Sequence, residues 1–272
     1  MASIKRKNKQ TKASQADKHK LYEASVQCVE AEIDFVDETF LKLRNRHATL
    51  LREDFCGTAN TSCEWVKRRE NNQAISVDLD PDVLKWGREN NLSKLEDSQR
   101  LRIKLINDDV MTVDTSKADT ILAMNFSYWI FKERQTMISY FRHVRDGLVD
   151  DGIFFLDAFG GHEAFEEMEE STDYGKFTYI WDQHKYNPIT GHCTCKIHFK
   201  FNDGSKMKNA FIYYWRIWTL PEITEMLTEA GFKKATVYWE GTDEDGEGNG
   251  VFTPTTEGEA DAGWIAYIVA EK

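Results

Sequence analysis

The chain has 272 residues, with 46 Asp and Glu against 35 Lys and Arg, a formal net charge of −11 and 41% hydrophobic residues. That length buries one substantial core, so one elaborated domain is expected rather than two. No apolar run is long enough to span a bilayer, no apolar signal region follows the charged N-terminus, and five cysteines without framework spacing point to a reducing, cytoplasmic setting.

Residues 1–20 carry Lys5, Arg6, Lys7, Lys9, Lys12, Lys18 and Lys20 against Asp17 alone, which leaves about −17 on the remainder. This basic segment is poor in apolar residues and is expected to be a flexible tail, either a solvated leader or a nucleic-acid contact. The acidic body argues against nucleic acid, because phosphate backbones demand a cationic surface. From 21 to 43 the apolar residues Leu21, Tyr22, Val26, Val29, Ile33, Val36, Phe40 and Leu43 follow a helical spacing.

Residues 48–51 then read as a buried strand. They enter the turn Arg52-Glu53-Asp54-Phe55-Cys56-Gly57-Thr58-Ala59-Asn60, and a helix with Trp65 and Val66 on its apolar side follows. A strand turning sharply into a helix presents free backbone N–H groups to a ligand. Residues 74–80 (Ala-Ile-Ser-Val-Asp-Leu-Asp) form a second strand ending in Asp78, the position that grips a ribose diol in an open α/β sheet. Together these point to a nucleoside cofactor. A nicotinamide dinucleotide is disfavoured, since it needs three glycines in Gly-x-Gly-x-x-Gly and this turn has only Gly57.

The segment resembles the first motif of the class I S-adenosylmethionine (SAM) methyltransferases, Asp/Glu-x-Gly-Cys-Gly-Thr-Gly. Glu53, Cys56, Gly57 and Thr58 match it, and Phe55 and Ala59 stand at two of its glycine positions. Further motifs follow in order. A third strand, 101–106, runs into Asn107-Asp108-Asp109-Val110. A fourth, 118–124, ends at Asn125-Phe126-Ser127-Tyr128-Trp129. A helix over 133–148 precedes Asp150-Asp151-Gly152 and a fifth strand at 153–156.

The resemblance implies a Rossmann-like α/β fold with a seven-stranded sheet in the order 3-2-1-4-5-7-6, closed by an antiparallel terminal strand. It implies S-adenosylmethionine as cofactor, released as S-adenosylhomocysteine. Glu53 would favour the cationic methionine end, Asp78 the ribose and Asp109 the adenine amino group. Cys56, Gly57, Thr58, Leu79, Val110 and Asn125 would line the cofactor, and Tyr22, on a helical cap over 21–47, would touch it. Asn125 and Tyr128 would lie near the transferring methyl, and His162 is the best-placed candidate base. A packing role for Tyr22 and a loop role for His162 stand beside these.

After the fifth strand, residues 161–170 read as a short acidic helix. Residues 177–181, 193–201 and 209–218 read as three strands of an antiparallel insertion spanning 177–218, with a hairpin at Asn202-Asp203-Gly204. In the family such an insertion commonly roofs the acceptor pocket, so Trp129, Tyr214 and Arg216 are candidate substrate contacts. A helix from Leu220, a strand at 235–240 and a last strand at 264–270 complete the chain. Between those strands, residues 240–261 hold eight acids and no Lys or Arg. This reads as a solvated Gly-rich loop, or as a field that attracts a cationic substrate.

No metal is expected. Asp243, Asp245 and Glu247 lack the closing Glu of a calcium loop, since Pro254 holds its place. His192 and His198 face away from Cys193 and Cys195 on one strand. The implied activity is methyl transfer to a small molecule, with a cationic amine as the acceptor the acidic loop suggests. The alternatives are methylation of RNA or protein guided by the basic tail, and a SAM-binding sensor or scaffold without transfer.

Overall fold

β1 (Leu50–Asp54) buries four of its five residues because it has parallel neighbours on both sides, β2 (Gln73–Asp78) and β4 (Ala118–Ala123). In this computed structural model residues 10–243 and 248–272 are described. They divide into two compact units, one of Cys28–Phe165 with Trp215–Lys272 and one of the segment up to Gln27 with Glu166–Tyr214.

The larger unit holds an eight-stranded sheet. From one edge its order is β3 (Ile103–Asn107), β2, β1, β4, β5 (Leu148–Gly160), β12 (Trp264–Glu271), β10 (Lys234–Thr242) and β11 (Gly248–Thr255). β3 to β5 are parallel, and β12 runs antiparallel between β5 and β10. The expected seven-strand order is therefore present, with β11 added outside it. Residues 248–255, expected within a solvated loop, pair with β10 because Phe252 packs on Tyr267, ring centroids 4.4 Å apart. Glu244, Asp245 and Glu247 lie outside the described residues.

Successive residues of a strand face opposite sides, and β5 shows how the two layers are filled. Phe155 packs edge-on against Phe35 of α3 (Val29–Arg44). Phe154 meets Tyr140 and Phe141 of α7 (Arg134–Gly147) and stacks on Phe232, which follows α8 (Leu220–Glu229). α4 (Asn60–Arg68) and α5 (Pro81–Asn90) share the Phe155 side, with Trp65, Val66 and Leu84 in one buried cluster. α6 (Asp97–Arg100) leads into β3. Among the described residues no helix is long and apolar enough to cross a membrane.

The smaller unit is a four-stranded sheet in the order β6 (Met168–Asp173), β7 (Phe177–Asn187), β8 (His192–Phe201), β9 (Lys206–Arg216). β6 corrects the expected acidic helix over 161–170. Only His162–Phe165 form a 3-10 turn, and the acids after it are exposed on an edge strand whose backbone pairs with β7. The hairpin at Asn202-Asp203-Gly204 forms as expected, with the Phe201 N–H donating to the Ser205 carbonyl at 2.9 Å.

Phe177, Ile197, Phe199 and Phe201 on one face pack with Ala13, Ala16, Leu21, Tyr22 and Val26. These belong to α1 (Lys12–Gln15), α2 (Lys18–Ser25) and the residues beside them. Residues 10–20 are thus folded, not a flexible tail. A Thr11–Ser14 capping box starts α1, Asp17 caps α2, and the Lys12 N–H donates to Asp203 at 2.9 Å. Lys5, Arg6, Lys7 and Lys9 lie outside the described residues. The single helix expected over 21–43 is two, α2 and α3, because the backbone leaves helical geometry at Cys28 (φ −118°, ψ 63°).

Candidate active site

The turn after β1 is built on three left-handed residues at alternate positions, Phe55 (φ 57°), Gly57 (φ 52°) and Ala59 (φ 55°). Phe55 and Ala59 thus adopt the backbone that the motif's glycines favour, at roughly 1–2 kcal/mol each. Neighbouring contacts hold the turn. The Cys56 N–H donates to the Val77 carbonyl at 2.9 Å, and Gly87 of α5 lies so close to the Thr58 carbonyl that a Cβ would stand 2.4 Å from its oxygen. Asn91 Nδ2 donates to that oxygen at 3.2 Å. On its other side the turn is open, since a Cβ on Gly57 would meet nothing within 4 Å.

Glu53, the penultimate residue of β1, lies beside the start of α4. Its carboxylate accepts from the Ser62 N–H at 3.1 Å, from Ser62 Oγ at 2.5 Å and from Thr61, while Ser76 Oγ donates to Ser62 Oγ at 2.8 Å. Burial nevertheless pushes the Glu53 carboxyl up to about 7. One residue on, Asp54 faces the opposite side. It takes Arg52 Nε at 2.7 Å and Tyr140 Oη at 2.9 Å in a fully buried network.

At the tip of β2 the Asp78 carboxylate bridges two backbone groups, the Gly57 N–H at 2.8 Å and the Asp80 N–H at 2.9 Å. Burial raises its pKa against those bonds. Leu79 beside it is 69% exposed, a large apolar side chain at the sheet tip. Asn107 at the end of β3 donates to the Asp78 and Leu79 carbonyls. Asp109 accepts from the Met111 N–H at 2.9 Å and is exposed, whereas Val110 is buried.

At the end of β4 two consecutive residues, Asn125 (φ 58°) and Phe126 (φ 57°), are left-handed. Asp157 of β5 holds both. Its two oxygens accept from the Asn125 N–H at 2.8 Å and the Phe126 N–H at 2.9 Å. Burial pushes the Asp157 carboxyl up to about 7.

Several expected contacts are engaged otherwise. Tyr128 is fully buried and its Oη donates to the Asp157 carbonyl at 2.7 Å, which braces this turn. Trp129 is also fully buried, packed on Phe159 (4.7 Å) and Trp215 (6.2 Å). Arg216 donates to the Lys132 carbonyl and Glu222 and lies 3.6 Å over the Trp218 ring, a brace between chain segments. Tyr214 is exposed, and the Phe211–Tyr213 face of β9 is the packed one. Tyr22 packs on Phe211 at 4.9 Å within the smaller unit, and His162 is exposed just past β5.

One buried acid escaped the sequence pattern. Glu32 on α3 is 7% exposed, with Oε2 fully buried and without a hydrogen-bond partner. Burial, then the charges of Asp157 and Glu53, push it up to about 8. A buried polar atom without a partner costs about 1–3 kcal/mol.

In the smaller unit Glu169, Asp182 and His198 bring one potential ligand atom each within 4.8 Å of one another. The Asn209 N–H donates to His198 Nδ1 at 2.7 Å, so the ring proton sits on Nε2 and points to Asp182 at 3.1 Å. That tautomer offers a metal no lone pair on the side of the two carboxylates. Cys193 and Cys195 are buried thiols on the opposite face of β8.

The sheet order, the reversed β12, the turn 55–59 and the carboxylate at the tip of β2 together make this the fold of the class I S-adenosylmethionine-dependent methyltransferases. No protein-family model matches the chain, and no curated protein matches it in sequence. Solved structures do. An S-adenosylmethionine-dependent methyltransferase from Clostridium acetobutylicum is similar with TM-score 0.67 and 16% identity, covering 93% of this chain and 96% of that one. CalS10, an amino pentose methyltransferase from Micromonospora echinaspora crystallised with SAM, gives 0.65 and 14%, covering 93% and 95%. KedS8, a sugar N-methyltransferase from Streptoalloteichus sp., gives 0.64 and 14%, covering 94% and 93%.

Proposed function

We propose that this protein is a methyltransferase that transfers the methyl group of S-adenosylmethionine to a nitrogen of a small, cationic acceptor. The observation that carries this reading is the turn 55–59, left-handed at every second residue and open above Gly57, with Asp78 closing one side. The exposed Leu79 and the unpartnered Glu32 oxygen also fit such a cofactor, which has an apolar purine at one end and an ammonium at the other.

Bound there, the cofactor supplies a methyl group already activated on a sulfonium. Asp78 accepts from its ribose hydroxyls with the lone pairs left beside its two backbone bonds. Leu79 covers the adenine and Asp109 accepts from its amino group. Gly57 lets the backbone approach, while Cys56, Thr58 and Val110 shape the floor. Asn125, held by Asp157, orients the acceptor at the tip of β4. Placing the acceptor lone pair in line with the methyl and excluding water supplies up to ~7–11 kcal/mol of the barrier lowering. A nitrogen acceptor needs no base in contact once it is neutral. The names carried by CalS10 and KedS8 support an amine on a sugar-like molecule as the acceptor class.

Calorimetric titration with S-adenosylmethionine, S-adenosylhomocysteine and a nicotinamide dinucleotide tests the reading. Micromolar binding of both sulfur nucleosides and none of the dinucleotide is expected. No binding of either sulfur nucleoside would overturn it.

A further inference from the structure

Three buried carboxyls lie near the tips of β1 and β5, and the charges of Glu53 from β1 and Asp157 from β5 both act on the third, Glu32 of α3. Two are engaged. Glu53 accepts from Ser62 and Thr61 at the start of α4, and Asp157 accepts from Asn125 and Phe126. Glu32 is the exception. Its Oε2 is the only carboxylate oxygen among the described buried side-chain atoms without a partner.

The titratable groups around it are all acidic. Asp157, Glu53 and Glu30 oppose its ionisation, Tyr267 of β12 interacts with it, and the Cys28 backbone is the one group favouring its charge. No Lys, Arg or His among the described residues pairs with it in an ion pair. The site therefore lacks a cation with N–H donors. The carboxyl torsion of Glu is soft and two-fold, so either oxygen can turn to a ligand.

We propose that Glu32 receives the α-ammonium group of the methionine moiety when S-adenosylmethionine or S-adenosylhomocysteine binds. The inference rests on the cofactor reading above. It assigns the ammonium to the one carboxyl of the three that has an oxygen without a partner, and leaves Glu53 as the residue that holds α4 over the turn. It also requires a proton to leave. With its pKa at about 8, Glu32 is mostly protonated at pH 7, so pairing with an ammonium ionises it and releases the proton to solvent.

The test compares S-adenosylhomocysteine with 5′-methylthioadenosine, which keeps the adenosine thioether and lacks the amino acid. Both are titrated at pH 7 in buffers of different ionisation enthalpy. The wild type is expected to release about one proton on binding S-adenosylhomocysteine and none with methylthioadenosine. Glu32→Gln, isosteric with the protonated acid, is expected to bind S-adenosylhomocysteine at least about tenfold more weakly and methylthioadenosine unchanged.

Equal loss for both ligands, or no proton release in the wild type, would overturn the assignment. So would unchanged S-adenosylhomocysteine affinity in Glu32→Gln with weakened binding of n-butylamine to that complex, which would move the cation to the acceptor. Failure of the wild type to bind either nucleoside would instead sink the cofactor reading, a distinguishable result.

Discussion

Asp78 accepts a hydrogen bond from the backbone N–H of Gly57 at 2.8 Å, and so ties the tip of β2 to the turn after β1. Residues 21 positions apart thereby become neighbours. Asp78→Ala removes both the tie and the acceptor proposed for the ribose. S-adenosylhomocysteine binding measured by calorimetry is expected to weaken about ten- to hundredfold, since a charged hydrogen bond contributes roughly 1.5–3 kcal/mol. Asp78→Asn keeps one acceptor oxygen and should fall between.

Gly57 offers a way to separate loop stability from ligand access. Its φ of 52° makes Gly57→Ala cost about 1 kcal/mol, a few degrees in melting temperature. Nothing in the protein obstructs the added methyl, so the larger effect is expected on the ligand. S-adenosylhomocysteine affinity should fall by about tenfold or more. A stability loss with unchanged affinity would show that the open space is not the cofactor's.

Asp157 is the clamp of the β4 tip. Asp157→Ala leaves the half-buried Asn125 and Phe126 N–H groups without their acceptor and frees two left-handed residues to relax. A destabilisation of about 2–5 kcal/mol is expected in urea unfolding. Asp157→Asn keeps one acceptor and should cost roughly half as much.

The buried acids set the pH dependence. Glu32 is raised to about 8, and Glu53 and Asp157 to about 7, all above the unfolded carboxylate range. The folded chain therefore holds more protons than the unfolded one between these limits. Stability is fully present below the unfolded pKa and is lost as pH rises through 7 and 8. Melting temperature without ligand should fall from pH 6 to pH 9. Glu32→Gln, which cannot ionise, should flatten the upper part of that fall.

The individual strands and the Asp78 tip were legible along the chain because both depend on local pattern, apolar runs of strand length and a carboxylate at a strand end, whereas the strand order was implied by the resemblance of the motifs to the methyltransferase family. The departures Phe55 and Ala59 were visible as letters, but not as left-handed residues. That conformation is imposed by contacts such as Gly87 against Thr58. The break between α2 and α3 was hidden because Val26 and Val29 keep the helical spacing across it.

Sequence by itself determined the parallel β-α pattern, the position of the cofactor turn and the acidic character of the chain. Only the tertiary structure decided which carboxylates hold backbone and which one is left open. Asp157 reaches Asn125 across 32 positions and Glu32 meets Asp157 from another element, and such pairings arise from packing, not from local spacing. The edge strand β11 was settled in the same way, by Phe252 finding Phe35 and Tyr267 across the fold.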